Sequence, residues 1–393
     1  MTTERLQPGL RLTASDRPGV AQPVPERDIP AEPWPRMAAY AFVLFLGLVG
    51  AWEVAMRAKG LRPGDLQDSP SAWAEQRRRI DHEPVKVVIV SDSKLLYGTN
   101  LDRFEVLTGI RPVQLALAGT SARPFLEDLA DDENFKGLAI VGMSEIVFFR
   151  DAIGRSERTL GFDRKEPPGD RVSFVLHRAL EQVFAFIDSD HRLSVLTARL
   201  DRQQRAVDRG PYKQVWKLGE AGADRQTIMW RPVEQDPFLR EHGRLAWNRS
   251  QGPDFTQDEI TRTQTRTKAA VDKIRARGGE VVFVRPPSAP EHLVNEYKRL
   301  PREAGWDALL QITNARGFHF NDTPESQGLE VPEWSHLSGA CAVVFTDVFV
   351  RHVATLTDRL TLRADAPEPL SAPDCDPTNS TIDPRRAARA GDR

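Results

Sequence analysis

Residues 87–99 read VVIVSDSKLLYGT. Four β-branched apolar residues in a row favour a strand. An unbroken apolar run, rather than an alternating one, is what a parallel strand covered on both faces requires. The run stops on Ser91-Asp92-Ser93, two hydroxyls around a carboxylate, and a short helix-forming stretch follows. These residue types commonly cap a helix N-terminus. A serine at such a junction is also where a nucleophile can sit beside backbone N–H groups.

Working outward, the same alternation returns. Residues 93–109 supply a helix that stops at Gly109, and Pro112–Ala116 reads as a second strand running into Leu117-Ala118-Gly119-Thr120-Ser121. A helix over 122–135 follows. Gly137–Val141 and Glu145–Phe149 then make a third strand region, interrupted by Gly142-Met143-Ser144. After a long gap come a helix over 257–277, the strand Glu280–Arg285, a helix over 291–315, a short strand near Phe318–Phe320 and a last helix over 338–360. Strand and helix in alternation predict right-handed βαβ units, hence an α/β fold: a three-layer, flavodoxin-like parallel sheet of about five strands. Residues 150–255, rich in Arg, Asp and Gln with helical periodicity over 172–207, read as an insertion into a domain spanning 84–363.

Composition narrows the function classes. The chain has 393 residues, 28 % charged, with a net charge of −2, so no global basic surface points to a nucleic-acid partner. Cys341 lies in an apolar run and Cys375 in a polar tail, and both are expected to be free thiols. Proline-rich residues 1–36 and 364–393 read as disordered, and 57–83, with Arg77-Arg78-Arg79, as a linker. Residues 37–56, MAAYAFVLFLGLVGAWEVAM, carry a single charge, Glu53. That length suits a bilayer-spanning helix. Val49-Gly50-Ala51 would fit a signal cleavage site, but the long leader favours an uncleaved anchor. Arg27 and Arg36 before it and Arg57, Lys59 and Arg62 after it leave the orientation undecided, or lean weakly to a cytoplasmic C-terminal part.

In an open doubly wound sheet, ligands collect at the carboxyl ends of strands. Those ends hold Ser91–Ser93, Gly119–Ser121, Gly142–Glu145 and Arg285-Pro286-Pro287, and the loop before the last helix reads Glu333-Trp334-Ser335-His336-Leu337. Ser93 is then the candidate nucleophile, His336 its general base and Glu333 the acid that orients the base. Gly119 permits a close backbone approach. Arg285 is a candidate for an anionic or sugar group, with a plain salt bridge as the alternative. Asp188-Ser189-Asp190-His191 falls inside the insertion, out of order for the sheet, and reads as a solvated turn. No Cys/His cluster has metal-ligand spacing, so neither metal nor cofactor is expected.

The order of these blocks resembles the SGNH/GDSL hydrolase superfamily, in particular its membrane-anchored branch related to envelope polysaccharide O-acetyltransferases. In that family a Gly-Asp-Ser block follows the first strand, a Gly block the second and a Gly-x-Asn-Asp block the third. An Asp-x-x-His block precedes the last helix. Here Ser93 takes the nucleophile's place, Gly119 and the Ser93 N–H that of the oxyanion hole, and His336 with Glu333 that of the base and its acid. Ser91 replaces the first glycine, Ser144 and Glu145 stand at the Asn and Asp positions, and Glu333 is one methylene longer than Asp. The resemblance covers about 84–150 and 256–360. It implies an esterase or O-acetyltransferase that acts through a Ser93 acyl-enzyme on an envelope or exported polysaccharide. It also implies a periplasmic domain held on a bacterial inner membrane beside a membrane acyl-transfer protein. Ser91 and Ser144 equally suit a non-catalytic binding or assembly module on the same fold. A phosphate site at Ser91–Ser93 would lack the usual glycines and leave His336 unexplained.

Overall fold

The computed structural model describes residues 32–150, 153–197, 217–248 and 254–376. Its strands, in chain order, are β1 (Val87–Val90), β2 (Val113–Gln114), β3 (Leu138–Gly142), β4 (Gly219–Ala221), β5 (Thr227–Met229), β6 (Glu280–Arg285) and β7 (Arg316–His319). Five of them form one parallel sheet in the order β2-β1-β3-β6-β7. The fold is α/β, and the quoted apolar run is a fully buried strand, β1, near the middle of that sheet.

The two faces of the sheet are covered by different helices. Val88, Val90, Val141 and Phe283 pack in one cluster with Phe125 and Leu126 of the helix Arg123–Asp131 and Val271 and Ile274 of the helix Gln257–Ala276. Val87, Ile89, Ile140 and Val284 pack in the other with Phe104 and with Val344, Phe345 and Phe349 of the last helix, Gly339–Leu356. Side chains alternate across a strand, so each residue of β1 buries its apolar surface on one side or the other. Each such burial stabilises by about 1.5–3 kcal/mol.

Among the described residues, two helices are long and apolar enough to cross a membrane. Gly339–Leu356 is the core helix just described, with 72 % of its most apolar window buried. Trp34–Ala58 has a mean hydropathy of 1.8 and none of that window buried. The chain divides into two compact units, Met1–Val54 and Ala55–Arg393. Of the N-terminal segment expected to be disordered, residues 1–31 lie outside the described residues, and Trp34–Arg36 belong to this helix.

Several expectations are corrected. The 57–83 segment is not a linker: Pro70–His82 is a helix capped by Ser69, and its Trp73 is fully buried, donating from Nε1 to the Leu115 carbonyl at 2.9 Å. Arg77 is likewise buried, between Asp128 at 2.9 Å and Asp132 at 2.7 Å. Residues 93–109 form two helices, Ser93–Gly98 and Leu101–Thr108, because Asn100 caps the second; Gly109 does end it, with φ 71°. Glu145–Phe148 is one helical turn rather than strand, since β3 ends at Gly142. The predicted helix over 291–315 is broken into Pro290–Arg299, a π turn Glu303–Asp307 and Ala308–Thr313.

The tail is not disordered over 364–376. Leu370 and Ala372 pack on the second core cluster, and Cys375 is joined to Cys341 by a disulfide. The free-thiol expectation fails because the tail folds back over the last helix. Leu370 N–H donates to Asp347 at 3.1 Å, and Arg351 reaches the Pro367 carbonyl. Residues 377–393 lie outside the described residues. The insertion, in turn, holds the antiparallel pair β4–β5 and the helices Pro168–Glu181 and Pro237–Asn248. Asp188, expected in a solvated turn, is buried and bonded to Lys217, which also meets Asp65.

Candidate active site

Ser93 is the first residue of the helix that begins where β1 ends, and it is the one partly exposed member of Ser91-Asp92-Ser93. Asp92 caps that helix by accepting from the Lys94 N–H at 2.8 Å. Ser91 is fully buried. A Cβ on Gly142 would come within 2.0 Å of its Oγ, so glycine at the end of β3 is what leaves room for the Ser91 hydroxyl. The three residues therefore divide into packing, capping and presentation, and Ser93 is the presented one.

His336 meets it from the other end of the chain. Its Nε2 is 2.7 Å from the Ser93 Oγ, and its Nδ1 is 2.9 Å from Glu333 Oε1. The same oxygen accepts from the backbone N–H groups of His336 at 2.5 Å and Ser335 at 3.2 Å. Glu333 and His336 are both almost fully buried. Burial pushes the Glu333 carboxyl up, but the His336 charge and the hydrogen bonds it accepts hold it below the usual carboxylate range. Ionised Glu333 keeps the Nδ1 proton and leaves Nε2 to accept from Ser93. The loop is held in shape by Trp334, whose φ of 77° is a strained conformation for a bulky residue. Its carbonyl accepts from Ala289 N–H at 3.1 Å.

Residues that the sequence left unmarked complete this arrangement. Trp247, in the helix Pro237–Asn248, donates from Nε1 to Glu333 Oε2 at 2.6 Å, and its ring lies edge-on to His336 at 5.8 Å. Tyr97 packs on His336 at 4.7 Å between ring centroids. The same insertion helix grips the loop before the last helix elsewhere: Arg244 donates to the Pro332 carbonyl at 3.1 Å, and Arg240 pairs with Glu330 at 2.6 Å. Glu234 accepts from Gly339 N–H, at the start of the last helix, at 2.5 Å. No local motif marks Trp247; its one signal was an indole in a segment otherwise crowded with charge.

The remaining expected residues are placed as follows. Gly119 ends the turn after β2 with φ 72° and is exposed. Ser144 precedes the helical turn after β3; its Oγ is buried and has no hydrogen-bond partner among the described residues. Arg285 does not face an anionic or sugar ligand. It is wholly buried, with Glu145 at 2.6 Å and Glu296 at 2.6 Å, so the salt-bridge alternative describes it. Strand β6 delivers its guanidinium into a pair of carboxylates from separate helices, and its Nη1 donates to the Pro286 carbonyl at 2.6 Å.

Lys94, next to the candidate nucleophile, joins the same network through Glu296 at 2.8 Å and through Ser288. Burial lowers the Lys94 ammonium against the pull of Glu296. Glu296 is likewise opposed by burial, yet Lys94 and Arg285 hold it well below the carboxylate range. For Glu145 burial prevails over Arg285, and its carboxyl is raised. His319 is pushed down to about 3 by burial and by the Arg285 and Arg302 charges. Its Nδ1 accepts from Asn321 N–H at 3.1 Å, which fixes the neutral form with the proton on Nε2, facing Tyr297 Oη at 3.0 Å.

Among the described residues no group of three or more His, Cys, Asp or Glu side chains is placed to hold a metal ion. The side chains brought together are a hydroxyl, an imidazole and a carboxylate, in contact in that order. Compared with known proteins, the chain matches no family model, and no curated protein matches it.

Proposed function

We propose that this chain is a membrane-anchored serine esterase or O-acetyltransferase of SGNH type, acting on an envelope or exported polysaccharide. The observation that carries the reading is the continuous chain of contacts from Ser93 Oγ to His336 Nε2 and from Nδ1 to Glu333. Ser93 attacks an ester carbonyl while His336 takes its proton. The leaving alkoxide recovers that proton, and the acyl group stays on Oγ. Water, or a sugar hydroxyl deprotonated by His336, then releases it. The N–H groups of Ser93 and Gly119, with the Ser144 hydroxyl, are the proposed donors to the oxyanion. The sheet order supports a three-layer, flavodoxin-like arrangement, in which the carboxyl ends of strands host the site.

We assign residues 37–56 as a single inner-membrane span with residues 57–376 outside the cytoplasm, where a membrane acyl-transfer protein would supply acyl groups. The Cys341–Cys375 disulfide supports that side, since such bonds persist in oxidising compartments. The test is covalent labelling of the purified full chain with a fluorophosphonate, with Ser93→Ala as control. Label confined to Ser93 is expected. A folded chain that takes no Ser93-dependent label leaves the non-catalytic binding module in its place.

A further inference from the structure

The helix Pro168–Glu181 is built the wrong way round for water. With 3.6 residues per turn, Val172, Val175, Leu176, Ala179 and Leu180 share one stripe, and all are exposed. Val172, Val175 and Leu176 are 61–62 % exposed, and Val183, just past the helix end, extends the stripe. The opposite side, which meets the body, is polar apart from Phe174, which lines a cleft with Leu66 and Ala72. There Arg178 bonds the Glu75 carboxylate and donates to the Ala223 carbonyl at 3.2 Å, while Glu181 accepts from Gln67 N–H at 3.3 Å. A surface helix in water shows the reverse. Isolated exposed apolar residues are ordinary, but a contiguous stripe marks a contact surface.

Its position indicates what covers it. Gly64 N–H donates to the Glu181 carbonyl at 2.9 Å, and the Arg57 guanidinium donates to the Val183 carbonyl at 3.4 Å. The end of the stripe is thus bonded to the chain just where the apolar run 37–56 gives way to Arg57, Lys59 and Arg62. If 37–56 spans a bilayer, the headgroup layer lies at that junction, where Arg57 and Lys59 meet lipid phosphates while Arg62 pairs with Glu220 at 2.9 Å. A helix with an outward apolar stripe at that level has the properties of one lying in the membrane interface.

We propose that the helix Pro168–Glu181 lies in the headgroup region of the bilayer that carries the anchor, with Val172, Val175, Leu176 and Leu180 against the acyl chains. The bilayer then holds the folded unit at a second point. This rests on the anchor assigned above and not on chemistry at Ser93.

The test uses the full chain reconstituted in phosphatidylcholine–phosphatidylglycerol vesicles. Because Cys341 and Cys375 are paired, an added cysteine is the sole thiol to take a spin label. Val172→Cys, Val175→Cys and Leu176→Cys are compared with Val294→Cys, a site 68 % exposed on the helix Pro290–Arg299. The three stripe labels should collide several-fold more with dissolved oxygen than with a water-soluble nickel chelate, and the Val294 label should do the opposite. Carbonate washing checks the anchor separately. A chain that resists carbonate while all four labels meet the chelate alike overturns the docking proposal. A chain that carbonate removes overturns the anchor itself. Stripe labels shielded from both reagents would mean a covering protein surface, and would also overturn the proposal.

Discussion

Replacing Trp247 with Phe tests whether the insertion serves the triad. The exchange keeps an aromatic ring near His336 and removes one donor. Among the described residues Trp247 is the one donor to Glu333 Oε2, at 2.6 Å, while three other N–H groups converge on Oε1. Leaving one oxygen of a buried carboxylate unpaired costs about 1.5–3 kcal/mol. If that cost falls on the orientation of His336, the rate drops about 10- to 150-fold. The Trp247 hydrogen bond is one reason the Glu333 carboxyl sits low. Its loss raises that carboxyl, so the acid limb of the rate profile moves to higher pH. The assay is the pseudo-first-order rate of fluorophosphonate labelling at Ser93, measured from pH 4 to 9 well below the melting temperature. A labelling rate within twofold of the parent, with an unmoved acid limb, would refute the reasoning: Trp247 would then pack beside the triad without setting its geometry.

Three further outcomes follow from the buried groups. His319 is neutral in the fold with a pKa of about 3, against about 6.5 unfolded. The unfolded chain therefore binds the extra proton, and this stability, complete above pH 6.5, is lost on acidification by about 1.4 kcal/mol per pH unit, or about 2 kcal/mol at pH 5. Urea midpoints at pH 7 and pH 5 should show the loss, and His319→Gln should reduce it. Cys375→Ser opens a loop closed across a separation of 34 residues, which by loop entropy costs about 3.7 kcal/mol. Thermal melts should shift down, and an unchanged melt would show that the tail is held without its crosslink. In Gly142→Ala the new methyl would stand 2.6 Å from Ser91 Cβ and 2.8 Å from Leu95 Cβ. Overpacking of about 1–3 kcal/mol and slower Ser93 labelling are expected, with partial recovery when Ser91→Gly is added.

The parallel sheet was legible because strands buried on both faces must be apolar throughout, and VVIV and VVFV have few other uses. The meeting of Ser93, His336 and Glu333 was legible because they flank such strands or lie in the loop before the last helix. Glu145–Phe149 misled because Ile, Val and Phe suit a strand as well as a buried helical turn, and only the end of β3 decides between them. Arg285 misled because a strand-end arginine looks alike whether its carboxylate partners come from a ligand or, as here, from Glu145 and Glu296. The disulfide and Trp247 were out of reach for one reason. Each depends on a segment, the tail or the insertion, returning to a distant element, and nothing in the local sequence encodes the return.

The sequence separation of 243 between Ser93 and His336 has a consequence for the order of synthesis. A chain made from its N-terminus presents the apolar helix Trp34–Ala58 first, then the hydroxyl, and the imidazole arrives only after β7, with the disulfide partner Cys375 later still. On the proposed reading, every nascent intermediate shorter than about residue 336 carries a serine with no base. On that reading the Ser93 hydroxyl gains its base only when the last strand and helix have joined the sheet, so activity and completed folding arrive together.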